Sequence, residues 1–308
     1  MSRLATDTLA AVALRLAKML LQAAAIVVLV FLLVRVVPGD TVDVLAAQGD
    51  LTEAQQQAMR HELGLDRSAG AQLVAWSAAA LSGDFGQSIR FHRPVADMLA
   101  TALPTTLTFA SLSFAVGIVI AFTIAIAAVT SGTGKAVALV DAVNIWSIAF
   151  PTFCVGVLGI LIVSVWLGWL PVLGSMVLPV VIIGIDNAGQ IVKPLHEELR
   201  EATAAAHVRT ARAKGLHPIR VVVVHLLPTA LPIALTLSGL VLAGLVAGTL
   251  TMEVLFGLPG IGSLLLNAIH GRDYPVVQAA IAVIVVALVA INAATDILHR
   301  LIDPRVSA

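Results

Sequence analysis

Charge is scarce in this chain. Asp, Glu, Lys and Arg make up 12% of its 308 residues, about half the share carried by a soluble globular domain. That excludes an ordinary water-facing surface over most of its length. The 18 basic residues cancel the 18 acidic ones, so the basic excess that draws a protein to nucleic acid is missing, and no nucleic-acid partner is expected. Cysteine is nearly absent. Cys154 alone cannot build a disulfide framework, and within its apolar run it reads as a small core hydrophobe. There is no low-complexity tract and no repeat with a period of about 20–50 residues.

Catalytic constellations are missing too. Gly132-Thr133-Gly134-Lys135 hints at a phosphate loop. It has Val129 where the earlier glycine belongs and Ala136 where a hydroxyl should follow the lysine. His196-Glu197-Glu198 begins like a zinc-protease helix, but Arg200 stands where the second histidine is needed. His207, His217, His225, His270 and His299 are scattered, and no Ser-His-Asp or Cys-His set can be assembled. The chain is therefore expected to be no enzyme, to have no ATPase site of its own, and to hold no metal or cofactor.

What is present is apolar. Hydrophobic residues reach 59% and mean hydropathy is +1.00, the composition of a polytopic membrane protein. At about 20 apolar residues per span, about six candidates emerge, near Met19–Val37, Leu103–Val129, Val137–Leu167, Met176–Val192, Thr229–Leu250 and Val276–Leu298. The fourth is weakened by Asp186, Asn187 and Gln190, and the third is long enough to tilt or to run past the bilayer. Basic residues set the orientation. Arg3, Arg15 and Lys18, Lys135, the run from Lys193 to Arg220, and Arg300 with Arg305 mark inner segments. Segment 38–102 sets Arg60, Arg67, Arg90 and Arg93 against eight acids, which places it outside. Both termini are then cytoplasmic. The first run exceeds a signal-peptide core and is expected to stay as an anchor.

The outer segment 38–102 is too long for a turn and too polar for a span. Thr52 reads as a helix cap with the helix stopping near Gly64, and a second helix runs about Ala71–Leu81. Trp76 suits a membrane interface. The segment is either a solvated spacer or a docking surface. Segment 194–228 is its cytoplasmic counterpart, and the rest of 103–308 is a core of five spans after an anchor in 1–37. Thr203–Lys214 favours helix, Gly215 permits a positive φ, and His217-Pro218 resets the direction. The outcome is a lever with an elbow, or else a basic loop binding anionic lipid.

Several polar residues fall within spans. Asp141 and Asn144 lie three apart, Asp186 and Gln190 four apart, and Asn292 and Asp296 four apart, with Arg300 one turn beyond Asp296. They serve helix–helix bonding or line a path for solute. Lys193 snorkels from a span end. Gly244 and Gly248 form a G-x-x-x-G pair suited to close helix contact.

Ordered motifs carry a resemblance over nearly the full length. They are ELGLD at Glu62–Asp66, GDFGQSI at Gly83–Ile89, RPV at Arg93–Val95, LPTTL at Leu103–Leu107 and LGWLPV at Leu167–Val172. ARAKGL at Ala211–Leu216, MEVLFGLPGIG at Met252–Gly262, RDYPVVQ at Arg272–Gln278 and DPRV at Asp303–Val306 follow. With these the chain resembles the inner-membrane permease subunits of ABC importers for dipeptides, oligopeptides and nickel. In that family an Ala-rich triplet is followed at fixed spacing by Gly and by an apolar-x-Leu-Pro ending. Here Arg209-Thr210-Ala211, Gly215 and His225-Leu226-Leu227-Pro228 occupy those places, with Arg-Thr departing from the usual Glu-Ala.

The resemblance implies an all-α permease of the type I ABC importer fold in the cell membrane, with a small helical extracytoplasmic domain after the first helix. It implies that Arg209, Thr210, Ala211, Arg212, Ala213, Lys214, Gly215, Leu216 and Pro228 form the ATPase-coupling loop. Asp84, Gln87, Arg93, Arg272 and Asp273, within its outer motifs, are then the candidates for receptor docking. Implied partners are a second, homologous permease forming a heterodimer, two cytoplasmic ATPase subunits or one fused pair that bind the ATP and Mg, an external solute-binding protein, and membrane lipid. The solute is a short peptide or a similarly sized molecule. The alternatives are a secondary transporter driven by an ion gradient, using carboxylates such as Asp141, Asp186 and Asp296, and an intramembrane enzyme.

Overall fold

A computed structural model describes residues 2–36, 39, 42–43, 46, 49, 52–62 and 64–302. Leu63 and the motif at Asp303–Val306 lie outside the described residues. The described chain is helical and contains no strand; Gln87 and Pro94 form only an isolated antiparallel bridge. It falls into two compact units, one comprising Met1–Thr106 with Pro259–Val289 and the other Leu107–Leu258 with Ala290–Ala308. Two long helices pass from one unit into the other.

In the first unit α1 spans Ser2–Val36, α2 Glu53–Glu62 and α3 Ala69–Leu81. Thr52 Oγ1 accepts from Gln55 N at the start of α2. At its end Gly64 takes φ +64° and Leu65 N reaches back to Arg60 O, the bonding of a Gly-terminated helix. Ser68 caps α3 through Ala71 N. The long helix α4, Val95–Ser131, begins in this unit. Val95, Leu99 and Ala102 of α4 pack against Ile261, Ala268, Val276 and Ala280.

The second unit is organised by its most buried helix. After α4 come α5, Gly134–Ala149, and α6, Thr152–Gly159, which widens into a π-helical stretch over Ile160–Trp166. Thr133, from the failed phosphate-loop motif, caps α5 through Ala136 N. The next helix, α7, runs Val177–Ala202 and packs on α5 and α6. Ala188, Ile191, Val192, Leu195 and Leu199 make a fully buried stripe at helical spacing. Gly184 and Gly189 notch α7. A β-carbon at Gly184 would come 2.5 Å from Val116 of α4, and one at Gly189 would strike Ser147 and the Val143 carbonyl of α5. Small residues here let the backbones close together.

The chain then forms α8, Ala206–Ala213, and α9, Pro218–Val221, followed by a π-helical stretch over Val222–Leu226 and α10, Leu227–Leu255. The last two helices are α11, Ile261–His270, which lies in the first unit, and α12, Tyr274–Ile302, which begins there and ends in the second.

Four described helices are long and apolar enough to cross a membrane, and a bent pair gives a fifth. The first helix contributes a shorter apolar stretch, Ala17–Leu33, within its 35 residues. The predicted third span is that bent pair: α5 and α6 meet at 97°. Phe150 is extended at φ −113°, ψ 116° because Pro151 follows, so a single tilted helix is ruled out. The fourth span does not end at Val192. It continues through Pro194 to Ala202, since the buried stripe outweighs the one ladder bond the proline removes. The fifth begins at Pro218 rather than Thr229. Pro228 cannot donate to Val224, and the π-helical turns ahead of it absorb that gap.

Candidate functional site

The elbow of the second unit grows from one helix end. Lys214 closes α8, Gly215 follows at φ +75°, and Leu216 resumes. Gly215 N donates to Arg212 O at 2.9 Å and Leu216 N to Ala211 O at 3.4 Å. This pair of bonds satisfies the last carbonyls of a helix, and it needs a left-handed residue where Gly215 stands. Leu216 then turns into the core cluster that also contains Ala211. Pro218 starts α9 two residues on, with His217 extended at ψ 138°.

Burial sorts the predicted loop residues. Val208 and Ala211 are buried and anchor α8. Arg209, Thr210, Arg212, Ala213, Lys214 and Gly215 are exposed. Ala211 therefore holds the elbow in place and offers no contact surface, while Leu216 helps to hold it and stays partly exposed. Pro228 is exposed on a continuous helix rather than at a loop end. The helix preceding the elbow is shorter than Thr203–Lys214. Ala202–Ala205 make turns closed by Thr203 N to Arg200 O and Ala205 N to Ala202 O, which sharpens the lever to a single short helix.

The second feature is a run of polar contacts along α5 and α7. Lys193 Nζ lies 3.0 Å from Asp141 Oδ1, with both side chains nearly half exposed. Asn144 Nδ2 donates to Gly189 O at 2.9 Å, and Gln190 Nε2 donates to Asp186 Oδ2 at 3.1 Å. Asn187 is buried, and its amide nitrogen has no partner among the described residues. Lys193 thus joins this group instead of snorkelling from a helix end. Its position opposite Asp141 follows from the continuation of α7 past Val192. Asn292 is exposed and Asp296 half-buried on α12; the Arg300 side chain lies outside the described residues. Gly244 and Gly248 face open space, and Gly239 makes the close contact, against Thr295. Five helical residues turn the face by about 140°, so the G-x-x-x-G pair points elsewhere.

In the first unit the predicted docking residues divide. Asp84, Gln87 and Arg93 are exposed. Asp84 Oδ1 accepts from Gly86 N at 2.9 Å, and the Arg93 carbonyl accepts from Ser88 N at 2.9 Å. Asp273 is fully buried. It accepts from Ser88 Oγ at 2.5 Å, Ile89 N at 3.2 Å and Arg90 N at 3.3 Å. It shapes the loop from beneath and cannot itself be a docking contact. Arg272 is half-buried and takes φ +50° at the end of α11, with Asp273 N bonded to Ala268 O. At the other end of α11, Thr106 Oγ1 accepts from Ile261 N at 2.8 Å, because Gly260 has no side chain with which to cap it.

The comparisons with known proteins agree on one class. A protein named as a peptide permease in Brucella ovis is 32% identical over 299 residues, covering 92% of this chain and 94% of that one. The glutathione transport system permease protein GsiC of Salmonella choleraesuis is 35% identical over 289 residues, covering 91% and 93%. Among solved structures, an inward-facing MetNI methionine ABC transporter chain superposes with a TM-score of 0.55 at 21% identity, over 67% of this chain and 96% of that one, a likeness of fold. The model for binding-protein-dependent transport system inner membrane components matches residues 117–308, a stretch that holds α5 to α10, the elbow and the polar contacts of α7. This multi-pass membrane chain belongs to that family, the permease subunits of ABC transporters.

Proposed function

We propose that this permease carries short peptides, or solutes of similar size, into the cell on energy supplied by separate ATPase subunits. The observation that carries this reading is the elbow: a short helix pinned by Val208 and Ala211, ending at a left-handed Gly215, with Arg209, Arg212 and Lys214 exposed on it. A groove on an ATPase that grips it could push the anchored helix and, through Val221, Val222 and Leu226, the packed base of α10. The peptide class is supported by the relatives' names, one a peptide permease and the other a permease for glutathione, itself a tripeptide.

In this reading ATP and Mg are bound by the ATPases, as two subunits or a fused pair. A second, homologous permease completes the path, and an external binding protein delivers solute. Both termini face the cytoplasm, and segment 38–102 forms the outer helical domain. Asp84, Gln87 and Arg93 are its exposed docking residues. The polar contacts of Asp141, Asn144, Asp186 and Gln190, with Asn292 and Asp296 of α12, line the path. The ion-gradient alternative keeps Asp141, Asp186 and Asp296 as its candidate carboxylates, of which Asp141 pairs with Lys193.

The test is Gly215→Trp. No neighbouring atom lies within 4 Å of where a β-carbon would sit, but the left-handed backbone strains any side chain there. The variant is expected to insert normally and to lose co-purification of the ATPases. Recovery of the ATPases at wild-type levels would sink the coupling assignment.

A further inference from the structure

Two cavities in the first unit share a wall. One, of about 230 Å³, is lined by Phe31 and Arg35 of α1, Arg67, Trp76 of α3, and Tyr274 and Gln278 of α12. The other, of about 470 Å³, runs between α1, α3 and α12 along Ala24, Val28, Trp76, Ala80, Val283 and Val286. The indole of Trp76 belongs to both.

The smaller cavity is rich in donors. The Arg35 guanidinium lies on the Phe31 ring, 3.4 Å from its centre. It donates to the Phe31 carbonyl at 3.2 Å and to Gln72 Oε1, both neutral acceptors. No carboxylate pairs with Arg35 or Arg67 among the described residues. Trp76 Nε1 is buried and has no acceptor among them. Arginine and indole can only donate, so the group that fits is an anion with several acceptor oxygens. A guanidinium fork matches phosphate in shape as well as charge.

The larger cavity says where that anion comes from. Its walls are almost wholly apolar, and on its rim Leu81 is 92% exposed and Val286 64% exposed. In a membrane chain such a rim faces acyl chains. Arg35 stands two residues before the end of the first apolar run, Met19–Val37, near headgroup depth, where indoles also settle. A charged cavity at that depth, set against an apolar groove with the Trp76 indole as their shared wall, fits an amphiphile better than a free ion.

We propose that the first unit binds an anionic phospholipid, with its phosphate held by Arg35, Arg67 and the Trp76 indole and one acyl chain in the groove between α1, α3 and α12. The lipid ties α3 to the two long helices, and the site does not depend on which solute the permease carries.

The full chain, purified in mild detergent and equilibrated with equal phosphatidylglycerol and phosphatidylcholine, is examined by native mass spectrometry. Retention of phosphatidylglycerol over phosphatidylcholine is expected. Arg67→Gln, at an exposed residue, lowers it about fivefold, and the Arg35→Gln/Arg67→Gln pair about twentyfold. Ala80→Phe, which fills the groove and leaves the arginines, removes both lipids. Soluble glycerol phosphate in excess leaves the bound lipid in place. Equal retention of the two lipids, unchanged retention in Arg67→Gln, or displacement by glycerol phosphate would each overturn the proposal, the last by assigning a soluble-anion site.

Discussion

Asp273 in the first unit is fully buried and accepts from Ser88 Oγ and the N–H groups of Ile89 and Arg90. Asp141 in the second unit is 46% exposed and faces Lys193 Nζ. The same side chain is used in two ways. Neutral donors fixed in a backbone cannot follow a moving partner, so the first arrangement locks a loop. A half-exposed ion pair on two side chains can open, exchange partners with a passing solute and close again at small cost. In the proposed transport cycle, the difference would separate a part of the molecule that keeps its shape from a part free to change it.

The largest effect expected is that of Asp273→Ala. It strands Ser88 and two backbone donors inside the first unit and costs about 3 kcal/mol, read as a lowered thermal unfolding midpoint of the purified chain. A midpoint no lower than that of Asp141→Ala would erase the contrast. Gly189→Leu comes next. Its side chain meets Ser147 and the Val143 carbonyl and costs about 2 kcal/mol by overpacking, whereas Gly244→Leu enters open space and leaves the midpoint unchanged. If the two substitutions destabilise alike, α7 is not the close-packed axis of the second unit.

Smaller still is Gly215→Ala, at about 1 kcal/mol for placing a side chain at φ +75°, with reduced ATPase binding as its clearer readout. The smallest change in midpoint belongs to Lys193→Met, yet transport in reconstituted vesicles should fall clearly. Full transport by that variant would remove the Asp141–Lys193 pair from the path.

These contrasts mark what could be read before folding. The elbow was legible because its signals are local: a helix-forming run, a glycine and a proline within a few residues of one another. The ends of α7 and the break at Phe150-Pro151 were not. Charges at Lys193, Glu197 and Arg200 made the chain after Val192 look like a loop, but they occupy one face of a helix whose other face is buried at Leu195 and Leu199. Packing across sequence distance overrode composition. Asp273 misled for the same reason. Its charge suggested a surface, and only the approach of Ser88, 185 residues away, shows that it is enclosed. The G-x-x-x-G pair was a sound motif on a face with nothing within 4 Å of it among the described residues.

The proposed coupling rests most on the elbow being gripped by a partner ATPase. Single cysteines at Lys214 and at Ala211, in a chain whose own Cys154 is replaced by serine, can be tested by cross-linking to the co-expressed ATPases. A cross-link from exposed position 214 and none from buried position 211 is the expected result. Position 214 free of cross-links in an assembly that still hydrolyses ATP and transports solute would contradict it.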